Sequence, residues 1–388
     1  MPYVKNTKKK ICEDPSNLRH LRSNDATEQT SARFFRTVLL IALALLAFCA
    51  SAVFIVDPFL RYRKPSLFKP LYTSANSRQM IPGVLRHFDY DAVIVGNSQS
   101  QNLPLATMRE TLGWNAVKAT SPACSPRALG QFLEIAFAAR GDTIANVWVG
   151  VNVASYAGTL DFKNDDAHAY LYDATHWRDY QYLLDYDVIY QRVPKSLYAT
   201  FGGGKKHYAP RTNPDNMFML DHDGETKRVF GERHVRSDFQ NDLAAGARKH
   251  SPINVNARMD DVASHLIRHA REHPRASFHI VLAPMTSLAW FQFAQNNQLD
   301  GVLAFLAAML NALVTEPNIR VIDALSDTTL ATDLSLFRDT VHFSPAVDAL
   351  LITAVRDRSR DITANDIPAL LDRLRELARP ETQPDWIL

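Results

Sequence analysis

The sequence predicts an α/β domain with a mostly parallel sheet covered on both faces, carrying an inserted cap and preceded by one N-terminal transmembrane helix. Three observations predict it. Residues 37–56 (TVLLIALALLAFCASAVFIV) pass without a charge, and at helical rise they span ~30 Å, the thickness of a bilayer's hydrocarbon core. Beyond them, short runs rich in valine and isoleucine alternate with stretches whose apolar residues recur at helical spacing, the pattern of βαβ units. Residues from about 160 to 250 break that rhythm with aromatic, glycine-rich and polar stretches; a loop that long rarely lacks structure of its own, so it reads as a cap over the sheet's ligand edge.

Composition excludes other classes. The chain has 388 residues, 46% hydrophobic and 22% charged, with a formal charge of +2. It has the apolar content for a core, unlike a disordered chain, and no basic excess that would make nucleic acid a partner. Its three cysteines, Cys12, Cys49 and Cys124, are too few for a disulfide framework. They fall in the tail, the membrane and the exported part, so no two share a compartment.

Residues 1–36 read as a basic cytoplasmic tail. Lys5, Lys8, Lys9, Lys10, Arg19, Arg22, Arg33 and Arg36 outnumber four acids there, but Arg61, Arg63, Lys64 and Lys69 follow the apolar run closely. The charge bias therefore votes weakly, and the extra lysines of the tail, with the ease of translocating large domains, set the orientation. The expected location is the inner (cytoplasmic) membrane, single-pass, with the C-terminal domain periplasmic or otherwise extracytoplasmic. A cleaved signal peptide competes, because Ala50-Ser51-Ala52 resembles a cleavage site. The length of the tail, and an apolar run longer than the ~7–15 residues of a signal peptide, favour a retained anchor. Phe48 is too large to precede a lipidated Cys49.

Residues 57–90 form a juxtamembrane segment, 91–360 the α/β domain, and 361–388 a C-terminal helix and tail. Buried strands are read at 92–96 (AVIVG), 146–152 (NVWVGVN), 277–283 (SFHIVLA) and 318–323 (NIRVID), with a weaker candidate at 115–119 (NAVKA). Leu129, Phe132, Leu133 and Ala136 share a helical face, as do Met259, Val262, Leu266 and Ile267, and then Val302, Phe305, Leu306, Met309 and Leu313. In the cap, Tyr170, Tyr172, Trp177, Tyr180 and Tyr182 form an aromatic stripe, suited either to stacking sugars or to seating the cap as a small core.

Three short pieces fall at strand ends, where open sheets hold their ligands. Ser98 follows AVIVG in Gly96-Asn97-Ser98. On a tight turn into a helix its hydroxyl points up and its N–H faces an oxyanion, although a serine so placed is more often just an N-cap. Asn152 closes the next strand, either as an oxyanion donor or as a turn-former. Asp339 and His342 precede Ser344 and Pro345, residues that start a helix and hold the loop before it rigid. An aspartate three residues before a histidine can hold its Nδ1–H and leave Nε2 to a serine. Cys124 is a rival nucleophile that lacks the strand-end turn. No cofactor is expected: Gly202-Gly-Gly-Lys205 lacks the Walker pattern, there is no dinucleotide fingerprint, and neither His87, His176 nor any other cluster has zinc-ligand spacing.

The order of Ser98, Asn152 and Asp339-x-x-His342 resembles the SGNH superfamily of GDSL-like esterases and acyltransferases. More closely, residues 57–355 resemble membrane-anchored bacterial proteins in which one export helix precedes such a domain. The phrases that carry the likeness are VDPF (56–59), RQMIPGVLRHFDYDAVIVGNSQSQN (78–102), AYLYD (169–173), LAPMTSLAW (282–290) and DTVHFSPAVD (339–348). The resemblance implies a flavodoxin-like three-layer domain with Ser98 as nucleophile, His342 as base and Asp339 as its orienter. It implies an oxyanion hole built from Ser98, Asn152 and the N–H of a glycine that should fall in 121–125, where Ala123 or Cys124 stands instead. An N–H survives that change, but a positive φ there would be strained. Asn97 replaces the superfamily's aspartate before the serine, a side chain that is not the nucleophile.

Relatives of this architecture O-acetylate alginate or take part in D-alanylation of teichoic acid. The expected function is a membrane-anchored serine esterase or O-acyltransferase acting on an acyl ester of a cell-envelope glycan. Tyr170, Tyr172 and Trp177 are candidates for binding that polymer, and a membrane acyl-donor protein is a further candidate partner. The alternative is a catalytically weak or inactive scaffold of the same fold that binds glycan or an envelope-assembly partner.

Overall fold

The computed structural model describes residues 15–158, 166–202, 205–220, 229–244 and 252–387. Strands β1 (Ala92–Gly96), β2 (Ala116–Thr120), β3 (Asn146–Val151), β4 (Ser277–Leu282) and β5 (Ile319–Asp323) are parallel and lie in the order 2-1-3-4-5. Ala92 of β1 sits opposite both Ala116 and Asn146. The strands read as nearly unbroken Val, Ile and Ala because both faces are covered. Along β1, Val93 and Val95 enter one core layer while Ala92 and Ile94 enter the other, as a two-residue period requires. In this strand order the crevice opens where the winding reverses, between β1 and β3.

A two-residue β6 (Asp361–Ile362), too short to leave a pattern in the sequence, closes the β5 edge antiparallel. In chain order the helices are α1 (Pro15–Val56), α2 (Ser77–His87), α3 (Ser98–Gln101), α4 (Leu105–Leu112), α5 (Pro126–Arg140), α6 (Val153–Ala157), α7 (Tyr180–Leu183), α8 (Val193–Phe201), α9 (Lys205–Thr212) and α10 (Glu232–Ala244). After residue 250 come α11 (Val255–Val262), α12 (Arg268–Glu272), α13 (Ser287–Gln295), α14 (Leu299–Leu313), α15 (Thr328–Thr332), α16 (Pro345–Asp357) and α17 (Ile367–Leu377). α2, α5, α14 and α17 bury their apolar faces in one layer, α4 and α16 in the other.

α1 is one helix, and its Thr30–Val56 stretch is long and apolar enough to cross a membrane. The expected break between tail and span is absent because, after Pro15 in the first turn, no glycine or proline intervenes before Pro58. Residues 1–14, including Cys12, lie outside the described residues; Cys49 and Cys124 are free thiols. Past α1 the chain turns at Asp57 (φ 46°). Gly83 of α2 lets that turn pack closely, since a Cβ there would collide with the Leu60 carbonyl.

The described parts of 160–250 are mostly helical and are built into both layers. Tyr170, Tyr182, Val188, Val193 and Phe218 join the larger core, Val235 and Phe239 the smaller; the polar stretch DHDGETKR (221–228) lies outside the described residues. The segment after residue 360 also belongs to the domain, for α17 buries Ile367, Leu370, Leu374 and Leu377.

Candidate active site

The turn after β1 is capped by its asparagine. Asn97 is extended (φ −102°, ψ −158°) and its side chain accepts the Gln99 N–H at 3.0 Å. Ser98 is thus the first helical residue rather than the N-cap that a serine in this setting more often forms. A cap needs an acceptor oxygen, which an amide supplies as readily as a carboxylate. Gly96 and Gly150, on adjacent strands, let α3 lie flush on the sheet, because a Cβ on either would collide with Ser100 Oγ. The far end of α3 is pinned by Lys118, which donates to the Gln101 carbonyl at 2.7 Å. Burial brings the pKa of that ammonium down to about 7.

The loop before α16 closes on itself. Phe337 and Phe343 bridge, Arg338 N donates to the His342 carbonyl at 2.9 Å, and Thr286 holds the Thr340 carbonyl through both its N–H and its hydroxyl at 3.0 Å. Within it, Asp339 Oδ1 accepts the N–H groups of Val341 (2.9 Å) and His342 (2.7 Å). Its Oδ2 lies 2.7 Å from His342 Nδ1, and His342 Nε2 lies 2.8 Å from Ser98 Oγ. The carboxylate neighbour assigns the proton to Nδ1, leaving Nε2 to accept from the serine. Burial opposes ionisation of Asp339, but the bonds from the His342 ring and from the two backbone N–H groups outweigh it and hold its carboxyl below the usual range. Ser344 takes the N-cap position of α16 without a side-chain cap bond; Pro345 and the loop's backbone bonds start that helix instead.

Asn152 caps α6, its carbonyl accepting the Ser155 N–H at 3.0 Å, while its amide donates to Gln99 Oε1 at 3.0 Å. Gln99 in turn donates to the Val341 carbonyl at 3.0 Å. One buried side chain therefore ties together the end of β1, the end of β3 and the histidine loop. Sequence reasoning missed Gln99; its one signal was its place next to Ser98. Asn152 retains a second amide hydrogen.

Ala123 has φ 55°, the left-handed conformation that a glycine would adopt freely and that costs alanine about 1–2 kcal/mol. Cys124 is buried, and burial pushes its thiol up to about 12, which removes the thiolate a nucleophile needs.

The remaining sequence candidates scatter. Tyr170 is 2% exposed in the core, Tyr172 rests on Phe132 and donates its hydroxyl to the Arg78 carbonyl at 2.9 Å, and Trp177 is 72% exposed beside Arg178. His176 pairs with Asp179 at 2.8 Å. Asp238 of α10, an exposed residue that the sequence did not single out, feels the charges of Asp339 and His342; partial desolvation, then Asp339, raises its carboxyl above the usual value. Contrary to the expectation of no metal-ligand spacing, His269, Glu272 and His273 bring ligand atoms within 4.8 Å of one another. They stand just before β4, at the opposite end of the sheet from Ser98, and Arg268 engages Glu272 at 2.8 Å.

Two larger cavities lie elsewhere. One of 270 Å³ is walled by Phe59, Leu71, Arg192, Lys195 and Arg211, and one of 370 Å³ lies beside Glu232 and Asp333. Ser98 is half-buried, at the crevice between β1 and β3.

No family model matches the chain, and no curated protein matches it. A solved Streptococcus pneumonia structure, provisionally described as a platelet activating factor, is similar over 74% of this chain and 92% of its own, at 10% identity and a TM-score of 0.39. That likeness is too distant to bear on function, which leaves the bond geometry around Ser98 to speak for the site.

Proposed function

We propose that this chain is an SGNH-like, membrane-anchored serine esterase or O-acyltransferase acting on an acyl ester of a cell-envelope glycan. The observation that carries the reading is the unbroken line from Ser98 Oγ to His342 Nε2 (2.8 Å) and from His342 Nδ1 to Asp339 Oδ2 (2.7 Å). It stands at the crevice of a sheet ordered 2-1-3-4-5.

Ser98 Oγ attacks the ester carbonyl carbon as its proton passes to His342 Nε2. Asp339 stays ionised and holds the imidazolium. The oxyanion takes hydrogen bonds from the Ser98 N–H, the free amide hydrogen of Asn152 and the backbone at Ala123. Collapse expels the alcohol, which leaves with the proton from Nε2, and water or a sugar hydroxyl then attacks the acyl-enzyme with Nε2 as its base. The apolar span supports a domain working at a membrane, with the tail cytoplasmic. The glycan substrate and a membrane acyl-donor partner follow from the resemblance of the serine and DTVHFSP phrases.

The test uses the full chain in detergent with a fluorophosphonate probe and p-nitrophenyl acetate. The wild type is labelled and releases p-nitrophenol, and Ser98→Ala loses both, turnover falling ~10³-fold or more. Equal turnover in the two proteins would remove Ser98 as nucleophile. Ala123 at φ 55° and the Asn152 amide held by Gln99 favour a second reading, a catalytically weak scaffold that binds glycan. In that case folded wild type takes no label.

A further inference from the structure

The end of the apolar span is gripped by the domain. Val53 is fully buried there and Val56 largely so, and the turn at Asp57 is locked by the N–H groups of Arg61 and Tyr62 and by the Tyr182 hydroxyl. Phe59 stacks on Tyr182 and lies under the Arg192 guanidinium. Among the described residues, the elements packed most closely on α1 are α7, the π-helical turn Val188–Arg192 and α8. They therefore stand at the level where the span leaves the hydrocarbon.

These elements are two-sided. Val188, Val193, Ser196 and Ala199 are buried. Tyr186, Tyr190, Leu197, Tyr198 and Phe201 are exposed, Tyr186 by 72% and Phe201 by 69%. From Tyr186 the outward residues recur at i+4, i+11, i+12 and i+15, one stripe of a helix. Phe201 meets Phe68 edge to face, and Leu67 and Phe68 lie beside Ile55 and Val56. The stripe thus runs into the last turn of the span. Contiguous apolar surface of this kind marks an interaction site, and tyrosine-rich stripes rimmed by lysines, here Lys64, Lys69 and Lys195, suit the headgroup layer of a membrane.

We propose that the segment from α7 to α8 is an interfacial membrane element, its outer stripe lying in the headgroup layer of the bilayer that α1 spans. The inference rests on α1 spanning that bilayer and is independent of the chemistry at Ser98. Lipid is the occupant because the stripe, through Phe201 on Phe68, adjoins the exposed apolar side chains of α1, such as Phe48 and Ile55, while Arg63 and Lys64, at the same level, suit phosphate headgroups. Span and stripe together hold the domain at two places and remove its freedom to swivel about the anchor.

The test uses the full chain carrying Cys12→Ser and Cys49→Ser, Cys124 being buried, with a nitroxide on Tyr190→Cys, Tyr198→Cys or Phe201→Cys. It is reconstituted in vesicles of phosphatidylcholine and phosphatidylglycerol. Oxygen should relax these labels about threefold or more over a water-soluble nickel chelate, as it does a label on Leu45→Cys in the span, while a label on Asp372→Cys shows the reverse. Chelate-dominated relaxation at 190, 198 and 201 with a lipid-like Leu45→Cys label overturns the interfacial assignment alone. Chelate-dominated relaxation at Leu45→Cys as well overturns the span and the interface together. Spin–spin broadening at the three positions that fades on dilution with unlabelled chain gives the face to a second copy and also overturns the proposal. Esterase turnover is not read, so failure here is separate from failure at Ser98.

Discussion

Ser98, His342 and Asp339 are joined side chain to side chain by bonds of 2.8 and 2.7 Å, whereas the proposed oxyanion donors, Ala123 and Asn152, are held by a strained backbone and by Gln99. On the first side every polar atom that proton transfer needs has its partner before any substrate arrives. On the second, the donors exist but are either held in a conformation their residue disfavours or partly engaged by a neighbour. On the proposed function, proton relay and oxyanion stabilisation are thus separable, and substitution is expected to weaken either without dismantling the other.

The sharpest way to break the first side, short of removing Ser98, is Asp339→Asn. It preserves shape but offers Nδ1 the wrong partner, and esterase turnover should fall ~10²–10⁴-fold, read with p-nitrophenyl acetate. The same variant tests the carboxyl's place in stability. Because Asp339 is held below its usual value in the fold, its contribution is complete above the unfolded pKa of about 4 and is lost as pH falls through the lower folded one. Urea midpoints measured down an acid series should therefore fall more steeply for wild type than for Asp339→Asn; identical slopes would deny the carboxylate that role.

Asn152→Ala addresses the second side and removes both a donor and the α6 cap. Turnover should drop about 10²-fold, comparable to the loss of one oxyanion donor elsewhere, with only about 1 kcal/mol of stability lost with the cap. Unchanged turnover would place the oxyanion wholly on backbone N–H groups. The smallest effect is expected from Ala123→Gly, which relieves the positive φ. It should raise stability by about 1 kcal/mol and leave turnover equal or a few-fold higher. A loss of stability would mean that the alanine methyl contributes more by packing than its backbone loses by strain.

Much of this was legible in the chain because it is local. The strand AVIVG ends at a glycine, the residue after next is a serine, and an Asp-x-x-His precedes a helix start, all readable at short range. The weak strand candidate at 115–119 becomes β2 because its neighbour β1 supplies the pairing that its own composition only hints at. Gln99 was not legible, since its role lies in partners 53 and 242 residues away. The aromatic stripe was legible as a stripe but not in its sides: Tyr170 and Tyr182 turn inward, Trp177 and Tyr180 outward, and packing against distant segments, such as that of α7 on α1, separates them.

The sequence by itself determined the span, the alternation of strand and helix, and the residues of the serine–histidine–aspartate line, because charge-free length, two-residue and helical periods, and short motifs are properties of neighbouring residues. Tertiary structure alone decided that those three side chains meet, that Asn97 rather than Ser98 caps α3, that Ala123 bears a left-handed backbone, and that the segment after α1 meets α8 through Phe68 and Phe201. Each of these depends on where distant segments come to rest, and the free energy that fixes it comes from the burial of two core layers against one sheet.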